Sequence, residues 1–194
     1  MTTSHADTGQ TPLDPNEIEG MIPTHLATRT ELDRWEHDNI VDALDWLDRF
    51  HSQAILEESF LRELHRRMFS NTWRWAGTFR QSEKNIGIPF HQIPIQLRQL
   101  LDDVKFWIEH DSYAPDEIAV RLHHSLVLIH PFPNGNGRHA RLITDLVLER
   151  VFLRQAFTWG QRIHSAGNAR KPYIEALQAA DEQDFDPLMA FVRS

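Results

Sequence analysis

A mainly α-helical fold is the class this sequence predicts, and three observations carry that prediction. Apolar residues recur at three- and four-residue spacing through most of the chain. Helix starts are marked by hydroxyl, acidic and proline residues in the positions that satisfy or tolerate the first unpaired N–H groups. Only one stretch, KNIGIPFHQI at 84–93, alternates in the manner of a strand, and its Gly and Pro suit a short hairpin. With 194 residues, 41% of them hydrophobic, the chain can bury a full core without staples.

The elements follow in order. Residues 1–16, rich in Thr, Asp, Gly and Pro, read as a flexible arm ahead of a single domain at 17–192. A first helix begins at Thr30, whose Thr-x-x-Asp pattern resembles a capping box, and carries Leu32, Trp35, Ile40, Leu44 and Leu47. A second, over 52–69, places Ile55, Leu56, Phe60, Leu61, Leu64 and Met68 on one side. A third covers 95–109. A fourth starts at Pro115, followed by Asp116 and Glu117, and stops near His130 because Pro131 disfavours the helical region before it. A fifth runs over 136–150, a sixth over 168–180, and a short seventh over 185–192.

Composition excludes several classes of function. Twenty Lys+Arg against 28 Asp+Glu give a net charge of −8, which argues against a nucleic-acid or anionic-membrane binder. There is no cysteine, so disulfides, zinc–thiolate sites and thiol nucleophiles are ruled out. The N-terminus has no apolar signal region and no run is long enough to span a bilayer, so a cytoplasmic location is expected.

The informative segment is His130-Pro-Phe-Pro-Asn-Gly-Asn-Gly-Arg-His-Ala-Arg141. A helix ends, two prolines stiffen a loop, and Gly135 and Gly137 let the backbone approach a ligand closely. The next helix begins at once, and its unsatisfied N–H groups make an anion site. Arg138 and Arg141 lie three apart on one face, a spacing that suits a di- or triphosphate. His130, at the other end of the loop, has the chemistry of a general base. On spacing alone, an ordinary helix–turn–helix corner with solvated arginines is the favoured reading over a phosphate site. The loop is neither a Walker A sequence nor a dinucleotide fingerprint.

The segment resembles the signature of the Fic (Fido) family, His-x-Phe-x-(Asp/Glu)-Gly-Asn-Gly-Arg-x-x-Arg, with a departure only at the acidic position. Trp73-x-Trp75-Ala76-Gly77-Thr-Phe-Arg80 resembles the segment before that family's flap, and Leu122–Ile129 the helix leading into its motif. Within the family the chain is most similar to the group named mobile mystery protein B. The resemblance implies transfer of AMP from ATP to a hydroxyl side chain of a target protein. His130 would be the base. Asn136 with the backbone of Gly135 and Gly137 would form the anion hole, Arg138 and Arg141 would hold the phosphates, and Phe132 would anchor the loop. The flap, Lys84, Asn85, Ile86, Gly87 and Ile88, would align the target by strand addition.

Asn134 stands where the family has the carboxylate that holds Mg²⁺ or Mn²⁺ on the phosphates, so weaker metal binding is implied. Ile18-Glu19-Gly20 resembles part of a self-inhibitory motif, with Glu19 expected to pair with Arg141; Pro15 replaces the usual Ser/Thr. Two alternatives accompany the main reading: a catalytically silent or partner-regulated ATP-binding module, and phosphorylation as in the Doc branch. Gly137 disfavours the latter, since that branch usually has Lys there. A small DNA-binding, antitoxin-like partner is also implied.

The remaining histidines and tryptophans read as structural. One of His123 and His124 should pack while the other faces solvent, His139 should point away from the arginines, and Trp73, Trp75, Trp107 and Trp159 should be core. The net charge is unevenly spread: residues 118–144 contain no Asp or Glu but hold Arg121, Arg138 and Arg141.

Overall fold

The apolar spacing closes into seven α-helices among the described residues of a computed structural model, which describes residues 18, 20–23, 25, 28–50, 54–161 and 169–194. They are α1 (Arg29–Arg49), α2 (Glu58–Phe69), α3 (Ile93–Glu109), α4 (Pro115–Ile129), α5 (Asn136–Arg150), α6 (Arg170–Asp181) and α7 (Asp186–Val192). The arm at 1–16 lies outside the described residues. None of the described helices is long and apolar enough to cross a membrane.

α4 and α5 pack on each other at the centre, with α3 and α7 also against α4 and α2 against α1. Ile118, Leu122, Leu126, Ile143 and Val147 from this pair join Leu61, Leu64, Met68, Leu97 and Val104 in the larger core. Ala119, Val120 and Leu148 turn the other way, into a second cluster with Trp159, Ala176, Ala180, Leu188 and Phe191. A helix buried on two sides holds its terminus rigidly, and the loop between α4 and α5 is thereby clamped at both ends.

Three local readings change. The capping box lies two residues earlier than Thr30: Thr28 Oγ1 accepts from the Glu31 amide at 3.2 Å and the Glu31 carboxylate accepts from the Thr28 amide at 2.9 Å. Glu at the third position reaches back to the cap, which the shorter Asp33 does less well. The second helix divides into a 3₁₀ turn at Ala54–Leu56 and α2. Segment 84–88 lies where a hairpin was expected, but is a run of bends with no cross-strand pairing. Gly87 adopts φ +100°, outside strand geometry, and the carbonyl of Ile88 is taken by a side chain instead of a second strand. Among the described residues the only β pairing is an isolated bridge between Met21 and Trp73.

Candidate active site

The loop joining α4 to α5 is held by side chains distant in sequence. His65 of α2 is fully buried; its Nδ1 accepts from the Gly77 amide at 3.0 Å. That fixes the proton on Nε2, which donates to the Asn134 carbonyl at 3.0 Å. The imidazole stacks on Phe132, centroids 3.7 Å apart, and Phe132 is itself fully buried. Burial, with His139 and Arg138 nearby, holds the His65 pKa well below its ordinary value, so this ring is neutral.

Asn136 closes the loop from the other side. Its Oδ1 accepts from the Phe132 amide at 2.9 Å and its Nδ2 donates to the Phe132 carbonyl at 2.7 Å. Both amide atoms thus bond the loop backbone, so Asn136 shapes the turn and keeps one N–H of Nδ2 beyond that bond. Gly135, at φ +78°, has Phe69 ring carbons 2.6 Å from where a Cβ would stand. Around Gly137, by contrast, a Cβ would meet nothing within 4 Å. No side chain caps α5, so its first N–H groups open onto this space.

His130 ends α4 in the left-handed conformation, φ 52°, and is 5% exposed. Its Nδ1 lies 3.4 Å from the Val127 carbonyl, an acceptor-only group, so the proton belongs on Nδ1 and the lone pair on Nε2. Burial is the main cause that lowers its pKa to about 4, with the charges of Arg80 and Lys84 adding to it. The ring is therefore neutral at pH 7.

Arg80, quoted in the sequence but given no role there, organises this end of the site. Its buried guanidinium donates to the carbonyls of His130 at 2.7 Å, Ser82 at 2.9 Å, Ile129 at 3.4 Å and Ile88. Its own amide donates to Pro131 O at 2.9 Å. One side chain therefore ties both ends of segment 82–88 to the end of α4. Gly87 lies directly against His130, since a Cβ there would be 2.7 Å from His130 Cβ.

The two arginines diverge. Arg138 is partly exposed and donates to Glu36 Oε2 at 2.7 Å, with its guanidinium 4.9 Å from the Phe69 ring centroid. Arg141 lies over Tyr173 at 4.6 Å and Trp159 at 5.4 Å. Tyr173 in turn bonds His123 Nε2 through its hydroxyl at 2.8 Å.

A model of the Fic/DOC family matches residues 55–148, which contain α2 to α5 except the last two residues of α5. Residues 55–148 are a Fic/DOC family domain. Over 134 residues the chain is 30% identical to the protein adenylyltransferase Fic of Aedes aegypti, covering 67% of this chain and 26% of that one. Residues 134–508 of Fic-1 from Caenorhabditis elegans align with a TM-score of 0.66 at 25% identity, over 90% of this chain and 51% of that one. The N-terminal Fic domain of a VirB-translocated effector from Bartonella quintana, solved with bound ADP, aligns with a TM-score of 0.64 at 16% identity, over 88% and 86%. The chain spans about a quarter of the length of the first curated relative it matches.

In this Fic domain, position 134 offers a divalent cation a neutral amide in place of a carboxylate. The Asn134 Oδ1 already accepts from the Gly135 amide at 2.7 Å, and its buried Nδ2, a donor, finds no acceptor. No cluster of three or more His, Asp or Glu able to hold a metal occurs among the described residues. Glu19 lies outside the described residues; its neighbour Gly20 accepts from the Arg74 amide at 2.9 Å.

Two histidine readings are sharpened. His123 and His124 are both buried, at 0% and 6% exposure, because His124 turns to Asp181 at 2.7 Å instead of to solvent. His139 points away from the arginines and bonds the Leu61 carbonyl at 2.8 Å. Glu36, Arg80 and His65 escaped the sequence reading. Their partners are 102, 50 and 69 residues away, and no local pattern announces such contacts.

Proposed function

We propose that this Fic domain transfers AMP from ATP to a hydroxyl side chain, Ser, Thr or Tyr, of a target protein. The observation that carries the reading is the open space at Gly137, in the loop-to-helix segment that runs from His130 to Arg138, at an uncapped helix N-terminus. Relatives named as protein adenylyltransferases support it. The target oxygen attacks the α-phosphorus, the new O–P bond forms as the bond to the β-phosphate oxygen breaks, and pyrophosphate leaves. The hydroxyl proton passes to the neutral Nε2 of His130. The α5 amides and Arg138 meet the charge that develops on the phosphoryl oxygens, with Arg141 at the far side of the same helix face. Segment 84–88 docks the target backbone beside His130.

No step is assigned to a metal ion, because Asn134 brings no negative charge to hold one. That same observation favours a second reading, an ATP-binding module that is silent or depends on a partner. A small antitoxin-like DNA-binding protein, kinship with the mobile mystery protein B group, restraint of Arg141 by Glu19 and a single catalytic unit at 17–192 belong to the proposal on the strength of the sequence resemblance, and a cytoplasmic location on the polar N-terminal sequence. Incubation of the chain and candidate targets with α-labelled and γ-labelled ATP tests it. Label from the α position alone supports AMP transfer. Label from γ alone replaces it with phosphorylation, and binding without transfer supports the silent module.

A further inference from the structure

Glu36 lies on α1, outside the segment that matches the family model, and nothing in the loop motif points to it. It is a fully buried carboxylate. Two donors converge on it from opposite sides of the chain: the Trp73 indole N–H reaches Oε1 at 2.6 Å, and Arg138 Nη2 reaches Oε2 at 2.7 Å. Each of the two oxygens accepts one donor, an arrangement that a carboxylate provides at both ends. A glutamine would turn an N–H₂ toward one of the two donors. A buried charge without partners is costly, so these bonds keep the carboxylate in place and, through it, the guanidinium.

Arg138 is pinned at one nitrogen, Nη2, with its plane near the Phe69 ring. Its side chain is nevertheless 37% exposed, so the contact with Glu36 leaves it accessible from solvent. Indole and ring together make Glu36 part of the frame rather than a plug. An acid that blocked the arginine from phosphate would cover its exposed face, and Glu36 approaches from the buried side.

We propose that Glu36 is a positioning residue for Arg138, and that α1 thereby supplies part of the polyphosphate site. The inference rests on the reading of Arg138 as a phosphate ligand. A flexible arginine loses rotamer freedom when it binds, whereas one held in advance does not, so the expected contribution appears as affinity for ATP.

A double-substitution cycle tests it, with ATP as the probe and binding followed by titration calorimetry. Glu36→Gln, and Glu36→Met as a second variant that buries no charge, are each expected to weaken ATP binding about tenfold. In the Arg138→Ala background the same changes at Glu36 are expected to cost nothing further, because the residue acts through Arg138. A general loss of packing would instead weaken binding equally in both backgrounds, and that additive result overturns the inference. Unchanged or tighter ATP binding in both Glu36 variants overturns it too. Absence of ATP binding by the unsubstituted chain removes the proposed function and this inference with it, while ATP binding with a flat cycle removes only the role of Glu36.

Discussion

Arg80 Nε donates to the carbonyl of His130 at 2.7 Å, and through its other nitrogens the same guanidinium holds Ser82 and Ile88. Segment 82–88 and His130 are thus fixed by one buried cation. Lysine keeps the charge but cannot bond several carbonyls in a planar fork. Arg80→Lys is expected to lower AMP transfer by about two orders of magnitude while changing ATP affinity by less than about threefold. Hydrogen exchange at 83–88 should rise in the variant. A variant that retains full transfer, or one whose amides stay as protected as before, contradicts this coupling.

The two glycines flanking Asn136 should respond oppositely to alanine. Gly135 has φ +78° and Phe69 carbons 2.6 Å from a Cβ site, so Gly135→Ala is expected to destabilise the fold by about 2 kcal/mol or more. Gly137 is helical with open space around it, so Gly137→Ala is expected to stabilise by about 0.5 kcal/mol. Denaturant unfolding of both variants checks the contrast. The methyl at 137 would also enter the space assigned to phosphate, so weaker ATP binding by a more stable protein is the expected pairing.

Buried imidazoles set the acid limit of stability. Burial lowers the pKa of His123 to about 3 and those of His130 and His139 to about 4. The unfolded chain therefore binds more protons than the folded one between pH 6.5 and 4, so stability falls as pH falls through that window. The effect is on the order of 2 kcal/mol for each such ring by pH 4.5. Asp145, raised to about 6 by burial, acts in the opposite sense between about 6 and 4, but it is one group against several. The thermal midpoint should drop steeply from pH 6.5 to 4.5, and a flat profile would count against neutral, buried histidines.

Activity should show a different pH dependence from that of an exposed histidine. With its pKa at about 4, His130 is already the free base at pH 5.5. Transfer measured as kcat/KM is expected to stay level from pH 5.5 to 8, provided the protein is kept below its thermal midpoint. A half-maximal rate near pH 6.5 would mean that the base is more exposed than the loop geometry allows.

Asn134 offers the most direct change of chemistry. Its Oδ1 is occupied by the Gly135 amide and its Nδ2 has no acceptor. Asn134→Asp replaces the unpartnered donor with a second carboxylate oxygen and adds a negative charge to the loop ahead of α5. The variant should gain transfer that depends on Mg²⁺ or Mn²⁺ by about tenfold or more over the parent. Equal rates with and without chelator in both proteins would show that the missing carboxylate is not the defect.

The sequence by itself determined the helical class, the bounds of α5 and the loop between His130 and Arg141, because helix periodicity, proline placement and glycine turns are local properties of the chain. It also exposed the missing acid at position 134. What only the tertiary structure decided is which distant groups hold that loop: His65 under Asn134, Arg80 on His130, Glu36 on Arg138. Their sequence surroundings are those of ordinary amphipathic helices and loops. They become a site only when packing removes them from water, since a buried polar group must then find its partner wherever the fold has put one. The same constraint turned segment 84–88 from the expected hairpin into a bent loop, with the Ile88 carbonyl bonded to a buried arginine in place of a neighbouring strand.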